Sequence, residues 1–235
     1  MNPQSHRYAA DPNVAAVAAL IGDPGRAAML LALLDGCELP ATALACRASV
    51  TPQAATAHLK KLVDANLLVV RNSGRHRLFA LASSEVGTTL EMLAAIAPNR
   101  PIVALSQNSA MARLREARSC YDHLAGRLGV ALTDRLIARG MLRLEGASFA
   151  VTPRGKRFFS DLDVDLDAWR SARRSFSRAC FDWTERRPHL AGSLGASLRA
   201  LFLARGWVAR NSNDRSLKVT SRGQTALLEH FDLHF

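Results

Sequence analysis

Residues Ala41 to Arg77 hold the most constraining pattern in the chain: two short helical stretches joined by a tight turn, followed by a basic hairpin. The second helix opens at Thr51-Pro52-Gln53, because Thr is a good N-cap and Pro loses no needed N–H at the first helical position. From there to Leu62, the residues Ala55, Leu59, Leu62 and Val63 recur at helical spacing and face a core. Gln53, Thr56, Ala57 and Lys60 face outward, with Lys61 and His58 beside them. Beyond Asn66, Leu67 to Val70 is a short apolar strand, Arg71 to Arg75 a turn, and His76 to Leu81 the returning strand.

A helix-turn-helix followed at this distance by a hairpin is the outline of a winged helix. An exposed face of small residues allows close approach to a major groove, where Gln or Thr can pair with base edges. Arg71, Arg75 and Arg77 sit on the hairpin with no acid among them, which suits the phosphates flanking a groove. The expected partner is therefore double-stranded DNA, with Thr51, Gln53, Thr56, Ala57, His58, Lys60 and Lys61 on the helix side of the contact. The plainer alternative is a solvated hairpin.

Over about Val14 to Ala97 the chain resembles the ArsR family of winged-helix transcriptional regulators. The resemblance rests on Gly22-Asp23-Pro24-Gly25-Arg26 leading into Met29 to Leu34, on Thr51 to Leu62, and on the Gly74-Arg75 wing. It implies a homodimer that represses or tunes a promoter and leaves it when a small effector arrives. In metal-sensing members a cysteine pair opens the first helix of the DNA-reading pair; the corresponding stretch here, Pro40-Ala41-Thr42, has no thiol. Glu85 to Ile96 also lacks the Asp and His pattern of the family's other metal site.

A chain of 235 residues is too long for that module alone and fits two domains with a real core. Its 49% hydrophobic content with mixed charge describes a globular protein. No apolar run approaches the roughly 20 residues of a membrane span, and Met1 to Ala10 has no signal-peptide core, so the expected location is cytoplasmic. The net charge of +11 suits a polyanionic partner. Residues 1–100 contribute only +2 of it, yet residues 40–80 set six cations against Asp64 alone.

The expected organisation is a polar arm at 1–13, a winged helix-turn-helix DNA-binding and dimerisation domain at 14–97, a linker at 98–101 bracketed by Pro98 and Pro101, and a C-terminal domain at 102–235. Within the first domain, a helix from Val14 to Ile21 and another from Arg26 to Leu34 precede the DNA-reading pair. A further helix begins at Ser83-Ser84-Glu85. The outer helices, Val14 to Leu20 and Val86 to Ile96, are assigned to the subunit contact; ordinary packing within one chain is the alternative.

The C-terminal domain is duplicated. His123-Leu124-Ala125-Gly126-Arg127-Leu128-Gly129 recurs as His189-Leu190-Ala191-Gly192-Ser193-Leu194-Gly195, and ten of eighteen positions are identical through Gly140 and Gly206. Each copy continues to Val-Thr-x-Arg-Gly, at Val151 and Val219, and follows a Cys-aromatic-Asp, at Cys120 and Cys180. Six extra residues, Trp183 to Pro188, separate the second Cys from its His. Two winged-helix-like units, about 120–160 and 180–235, are expected. The fold class is thus mainly α with small β-hairpins (α+β). Gly126 with Gly129, and Gly192 with Gly195, predict close approach of another element to a helix face.

The repeated Cys120, Asp122, His123, Cys180, Asp182 and His189 are the candidate sensor residues. Two thiols and two imidazoles form a ligand set for Zn2+ or another soft divalent ion, although spacings of three and nine residues match no recognised zinc pattern. Arginines crowd both cysteines in sequence, Arg113, Arg115, Arg118 and Arg127 around the first, and such cations favour a reactive thiolate. Simple packing of the thiols, with Asp and His capping a helix, stays open beside both. Cys37 and Cys46 are expected to fill the core. Trp169, Trp183 and Trp207 are candidates for a ligand pocket or for core packing, and Arg170 to Arg174 with Arg178 for a solvated face or an extended DNA footprint.

No phosphate-cradling loop, nucleophile elbow or His-x-x-x-His is present, and an enzyme using Cys120 with His123 as base is a remote alternative. The sequence reads as a DNA-binding transcription regulator, a dimeric repressor of a palindromic operator released by an effector sensed in the C-terminal domain. The competing class is a winged-helix module that binds another protein.

Overall fold

A computed structural model describes residues 11–74, 76–98, 105–166, 175–212 and 214–235. The chain divides into two compact units, one of residues up to Leu33 with Cys37–Ser83, the other of Leu34–Gly36 with Ser84–Phe235.

In the first unit, α1 (Val14–Ile21) is capped by Asn13, which accepts from the Ala16 amide. Asp23 caps α2 (Pro24–Ala32) through the Arg26 amide, so this helix starts two residues before the sequence reading placed it. Arg26 is buried and donates to the carbonyls of Leu20 (2.7 Å) and Ala19 (2.9 Å), satisfying the open end of α1. A two-residue strand β1 (Leu39–Pro40) leads to α3 (Ala41–Ala48), which ends at Ser49 in the left-handed region (φ 54°). That residue makes the turn into α4 (Pro52–Asp64), where Thr51 accepts from the Ala54 amide at 3.2 Å. Leu44, Leu59 and Leu62 are fully or almost fully buried between the helices. β2 (Leu68–Ser73) and β3 (His76–Leu81) form the hairpin, in a sheet of order β1-β3-β2. The strands run further than expected: Asn72 pairs with Arg77 and Ser73 with His76, so Arg71 to Ser73 are strand, and Gly74 stands beyond them at φ 59°.

The second unit begins with α5 (Ser84–Ile96) and α6 (Leu105–Glu116). Then β4 (Arg118–Cys120), β5 (His123–Ala125), α7 (Gly126–Ala138), β6 (Leu142–Glu145), β7 (Ser148–Val151) and α8 (Pro153–Asp161) follow in order. The same order returns as β8 (Arg178–Phe181), β9 (Pro188–Ala191), α9 (Gly192–Ala204), β10 (Val208–Arg210), β11 (Leu217–Val219) and α10 (Ser221–Phe231). Each copy therefore carries a leading hairpin, and His123-Leu124-Ala125 is a strand ahead of the repeated helix. β6-β7-β8-β9 form one four-stranded sheet; β4-β5 and β10-β11 are separate hairpins. The core stacks equivalent positions: Leu128 and Leu194, Leu132 and Leu198, Leu136 and Phe202 are all buried.

The repeated motifs have physical causes. Thr152 and Thr220 cap α8 and α10 by accepting from the amides of Gly155 (3.0 Å) and Gly223 (2.9 Å), and donate to the carbonyls of Gly140 and Gly206, each at 2.7 Å. A Cβ on Gly155 or Gly223 would collide with the carbonyl of Met141 or Trp207. A Cβ on Gly195 would stand 2.6 Å from the Leu190 carbonyl oxygen, and the equivalent atom on Gly129 would meet that of Leu124, so the approaching element is the strand of the same hairpin. Trp207 is buried edge-on to Phe202, with ring centroids 5.0 Å apart, and is core. Trp169, Arg170 to Arg174 and the linker residues from Asn99 to Pro101 lie outside the described residues.

Candidate functional site

Two groups of residues carry chemistry. The first is α4 with its hairpin. Ala55, Leu59 and Leu62 are buried, which turns Gln53, Thr56, Ala57, Lys60 and Lys61 to the exposed side, as the helical spacing requires. The Thr56 hydroxyl donates back to the Pro52 carbonyl (2.9 Å), and Lys60 pairs with Asp64 (2.7 Å) on an open surface where such pairs contribute little. His58 differs from its neighbours. It is half-buried, with Nδ1 at 3.4 Å from Arg26 Nη1 and 3.9 Å from Asp23, so it braces α4 against α2. Arg71 is exposed and bonds Glu38, a partner 33 residues away that the hairpin sequence does not reveal. Arg77 is exposed, its guanidinium 5.7 Å from the Phe79 ring. Arg75 lies outside the described residues.

The second group lies in the second unit and unites both copies of the repeat. Cys120 and His123 are opposed residues of the β4-β5 hairpin, and Cys180 and His189 are opposed residues of β8-β9. Opposed residues in an antiparallel pair hold their Cβ atoms about 5 Å apart whatever the loop between them. The six extra residues add one strand pair, Phe181 with Pro188, and lengthen the second loop, so spacings of three and nine yield the same cross-strand pair. All four side chains are buried, and their ligand atoms lie within 4.8 Å of one another. The two sulfurs are 3.8 Å apart and the imidazole centroids 5.0 Å. This cluster of two thiols and two imidazoles can hold a metal ion.

Carboxylates flank both rings. Asp122 Oδ1 is 3.3 Å from His123 Nδ1, and Asp182 Oδ2 is 3.7 Å from His189 Nδ1. Asp182 is itself locked: its Oδ2 accepts from Arg118 (2.9 Å) and from the Gly126 amide (2.7 Å), and its Oδ1 from Thr184 (2.7 Å). It thus caps α7 of the other copy, while Arg118 stacks 4.8 Å from the Trp183 ring. Burial opposes ionisation of Asp182, but the Arg118 charge and these hydrogen bonds overcome it and hold the carboxyl well below the usual range.

Burial pushes the Cys120 thiol well above its ordinary value, the reverse of what the flanking arginines predict. Arg118 answers Asp182 instead of the sulfur. The hydrogen bond with Cys120 draws Cys180 down, helped by the two imidazoles. Burial disfavours charge on His123, yet Asp122 and Cys180 raise it; burial lowers His189. A cavity of about 450 Å3 adjoins the cluster, lined by Cys120, Asp122, His123 and Cys180 with Glu85 and Glu91 of α5. The other two cysteines do not form a core: Cys46 is exposed and Cys37 half-buried.

A helix-turn-helix with an exposed, partly cationic second helix and an antiparallel wing defines a winged-helix DNA-binding protein. The chain belongs to the HTH-type transcriptional regulators. It is 40% identical over 223 residues to the HTH-type transcriptional regulator YdfF of Bacillus subtilis (strain 168), a match covering 95% of this chain and 99% of that protein. No family model matches the chain. Among solved structures it is similar to NolR from Sinorhizobium fredii (26% identity, 41% of this chain and 93% of that one, TM-score 0.35). It is also similar to the cadmium metal-sensor CMTR from Mycobacterium tuberculosis (31% identity, 39% and 99%, TM-score 0.31).

Proposed function

We propose that this regulator binds a palindromic operator as a homodimer and acts as a repressor, released by an effector that the second unit senses. Gln53, Thr56, Ala57 and Lys60 read base edges from α4; Arg71, Arg75 and Arg77 meet phosphates or the minor groove. The observation that carries the reading is the inward turn of Ala55, Leu59 and Leu62, which leaves the small and polar residues of α4 outward. Thr51 serves by capping that helix, and the α2-bound His58 by holding its angle. The Arg71–Glu38 pair is exposed and can exchange its carboxylate for a phosphate.

Two helices support dimerisation through the outer elements. No residue of α1 is buried, with Val14 71% exposed, and α5 leaves Ile96 81% exposed beside Met92. Two α4 helices related by a dimer axis enter successive major grooves about one helical turn apart. A location in the cytoplasm follows from this role; among the described residues no single helix is long and apolar enough to cross a membrane.

Gel retardation of the DNA upstream of the protein's own gene, against random duplex at moderate salt, tests the reading. The expected preference is at least about 10^3-fold. Equal weak binding to both would instead favour a surface that docks another protein.

A further inference from the structure

We propose that Cys120, His123, Cys180 and His189 bind one thiophilic divalent ion of the Zn2+ or Cd2+ class in a tetrahedral Cys2His2 centre shared by the two repeats. The proposal stands apart from DNA binding and rests on four observations.

The first is distance. Two thiolates at about 2.3 Å from an ion at the tetrahedral angle lie about 3.8 Å apart, and the Cys120 and Cys180 sulfurs are 3.8 Å apart. A disulfide needs about 2.05 Å. The second is the state of the imidazoles. His123 Nε2 and His189 Nε2 are both buried and have no hydrogen-bond partner. A buried polar atom without a partner is costly in a finished core, and an ion supplies the missing partner for both at once.

The third is the supporting shell. Asp122 Oδ1, 3.3 Å from His123 Nδ1, reproduces the carboxylate–histidine–metal arrangement, in which the outer nitrogen donates to a carboxylate and the inner one takes the ion. Asp182 Oδ2 stands 3.7 Å from His189 Nδ1, beyond hydrogen-bond distance, so both nitrogens of that buried ring lack a partner among the described residues. For His123 this assigns Nε2 as the ligand atom. The fourth is the donor set. Two sulfurs and two nitrogens with no oxygen select a soft or borderline ion over Mg2+ or Ca2+. Four protein ligands also leave no open position for a reacting molecule. Binding needs two thiolates and two neutral imidazoles, so M2+ displaces the protons held by the cluster into solvent. The adjoining cavity, which touches Cys120, His123 and Cys180, offers the way in.

The test is titration of the reduced, metal-free full chain with Co2+, followed by Zn2+. The expected result is one equivalent bound, strong visible absorption of tetrahedral cobalt, a near-ultraviolet sulfur-to-cobalt band scaled to two thiolates, and bleaching by one equivalent of Zn2+. Cys180→Ser halves the sulfur band, and His189→Asn abolishes the tetrahedral spectrum. Asp122→Asn retains the ligands and weakens binding about 10–100-fold. Weak octahedral-type absorption from the wild-type chain, or a tetrahedral spectrum that survives Cys180→Ser and His189→Asn together, overturns the site. The wild-type spectrum decides the matter even if a variant does not fold.

Discussion

The buried ion pair between Arg118 and Asp182 joins the two hairpins that carry the Cys/His cluster, and its removal should cost more than any surface change in the protein. Both side chains are 0% exposed and 2.9 Å apart. Arg118→Met keeps most of the side-chain volume. It removes donors to Asp182, to Thr184 Oγ1 (3.1 Å) and to the Leu114 carbonyl (3.2 Å), and leaves a carboxylate buried without its cation. Breaking such a pair from one side costs about 3–5 kcal/mol. With a urea slope of roughly 2–3 kcal/mol/M, the midpoint should fall by about 1–2.5 M. All three tryptophans lie in the second unit, so their fluorescence reports its unfolding alone. Asp182→Asn should cost a similar amount. The double variant should cost less than the sum by about 1–3 kcal/mol, because the second change removes the charge stranded by the first. Single costs below about 1 kcal/mol, or strict additivity, would refute the claim that this pair clamps the hairpins.

Other outcomes follow from named contacts. Gly195→Ala puts a Cβ 2.6 Å from the Leu190 carbonyl and 3.1 Å from His123 Cβ, so it should lower stability by about 1–3 kcal/mol and weaken Co2+ binding as well; urea unfolding and the cobalt spectrum check both. Thr152→Ala and Thr220→Ala each delete one helix cap and should cost about 1 kcal/mol apiece, additively, in the same unfolding assay. Arg77→Ala should weaken binding to all duplexes alike and reduce the slope of log affinity against log salt by about 1; an unchanged slope would remove Arg77 from the phosphate contacts. Stripping metal with a chelator should lower the thermal midpoint of wild type and leave that of His189→Asn unmoved.

The first unit was legible because its determinants are local. Thr51-Pro52 marks a helix start by capping chemistry, and the period of Ala55, Leu59 and Leu62 sets which face is inward. What escaped were contacts across sequence distance. β1 is two residues long and exists only because Leu39 meets Phe79 and Pro40 meets Leu78. Glu38 finds Arg71 through the same fold.

In the second unit, the repeat singled out the residues that the fold brings together but hid their relation. A reading by spacing sees Cys-x-x-His once and a nine-residue gap once, and finds no pattern. A cross-strand reading sees one motif twice, because register and not loop length sets the separation of opposed side chains. His123-Leu124-Ala125 runs straight into a helix, so nothing local announced it as a strand. Nor do sequence neighbours set the environment of the Cys120 thiol: Arg118, two residues away, is engaged by an aspartate 64 residues distant. Cys46 shows the limit of composition, since a cysteine in an apolar helix still falls on the exposed face when Leu44 and Ala45 take the buried one.

Footprinting on the DNA upstream of the protein's own gene tests the central claim, that α4 reads sequence, most directly. Wild type should protect two half-sites whose centres lie about 10 base pairs apart or a multiple of that. Gln53→Ala with Lys60→Ala should erase the pattern while leaving weak general binding. Uniform protection along the fragment, unchanged by those two substitutions, would contradict it.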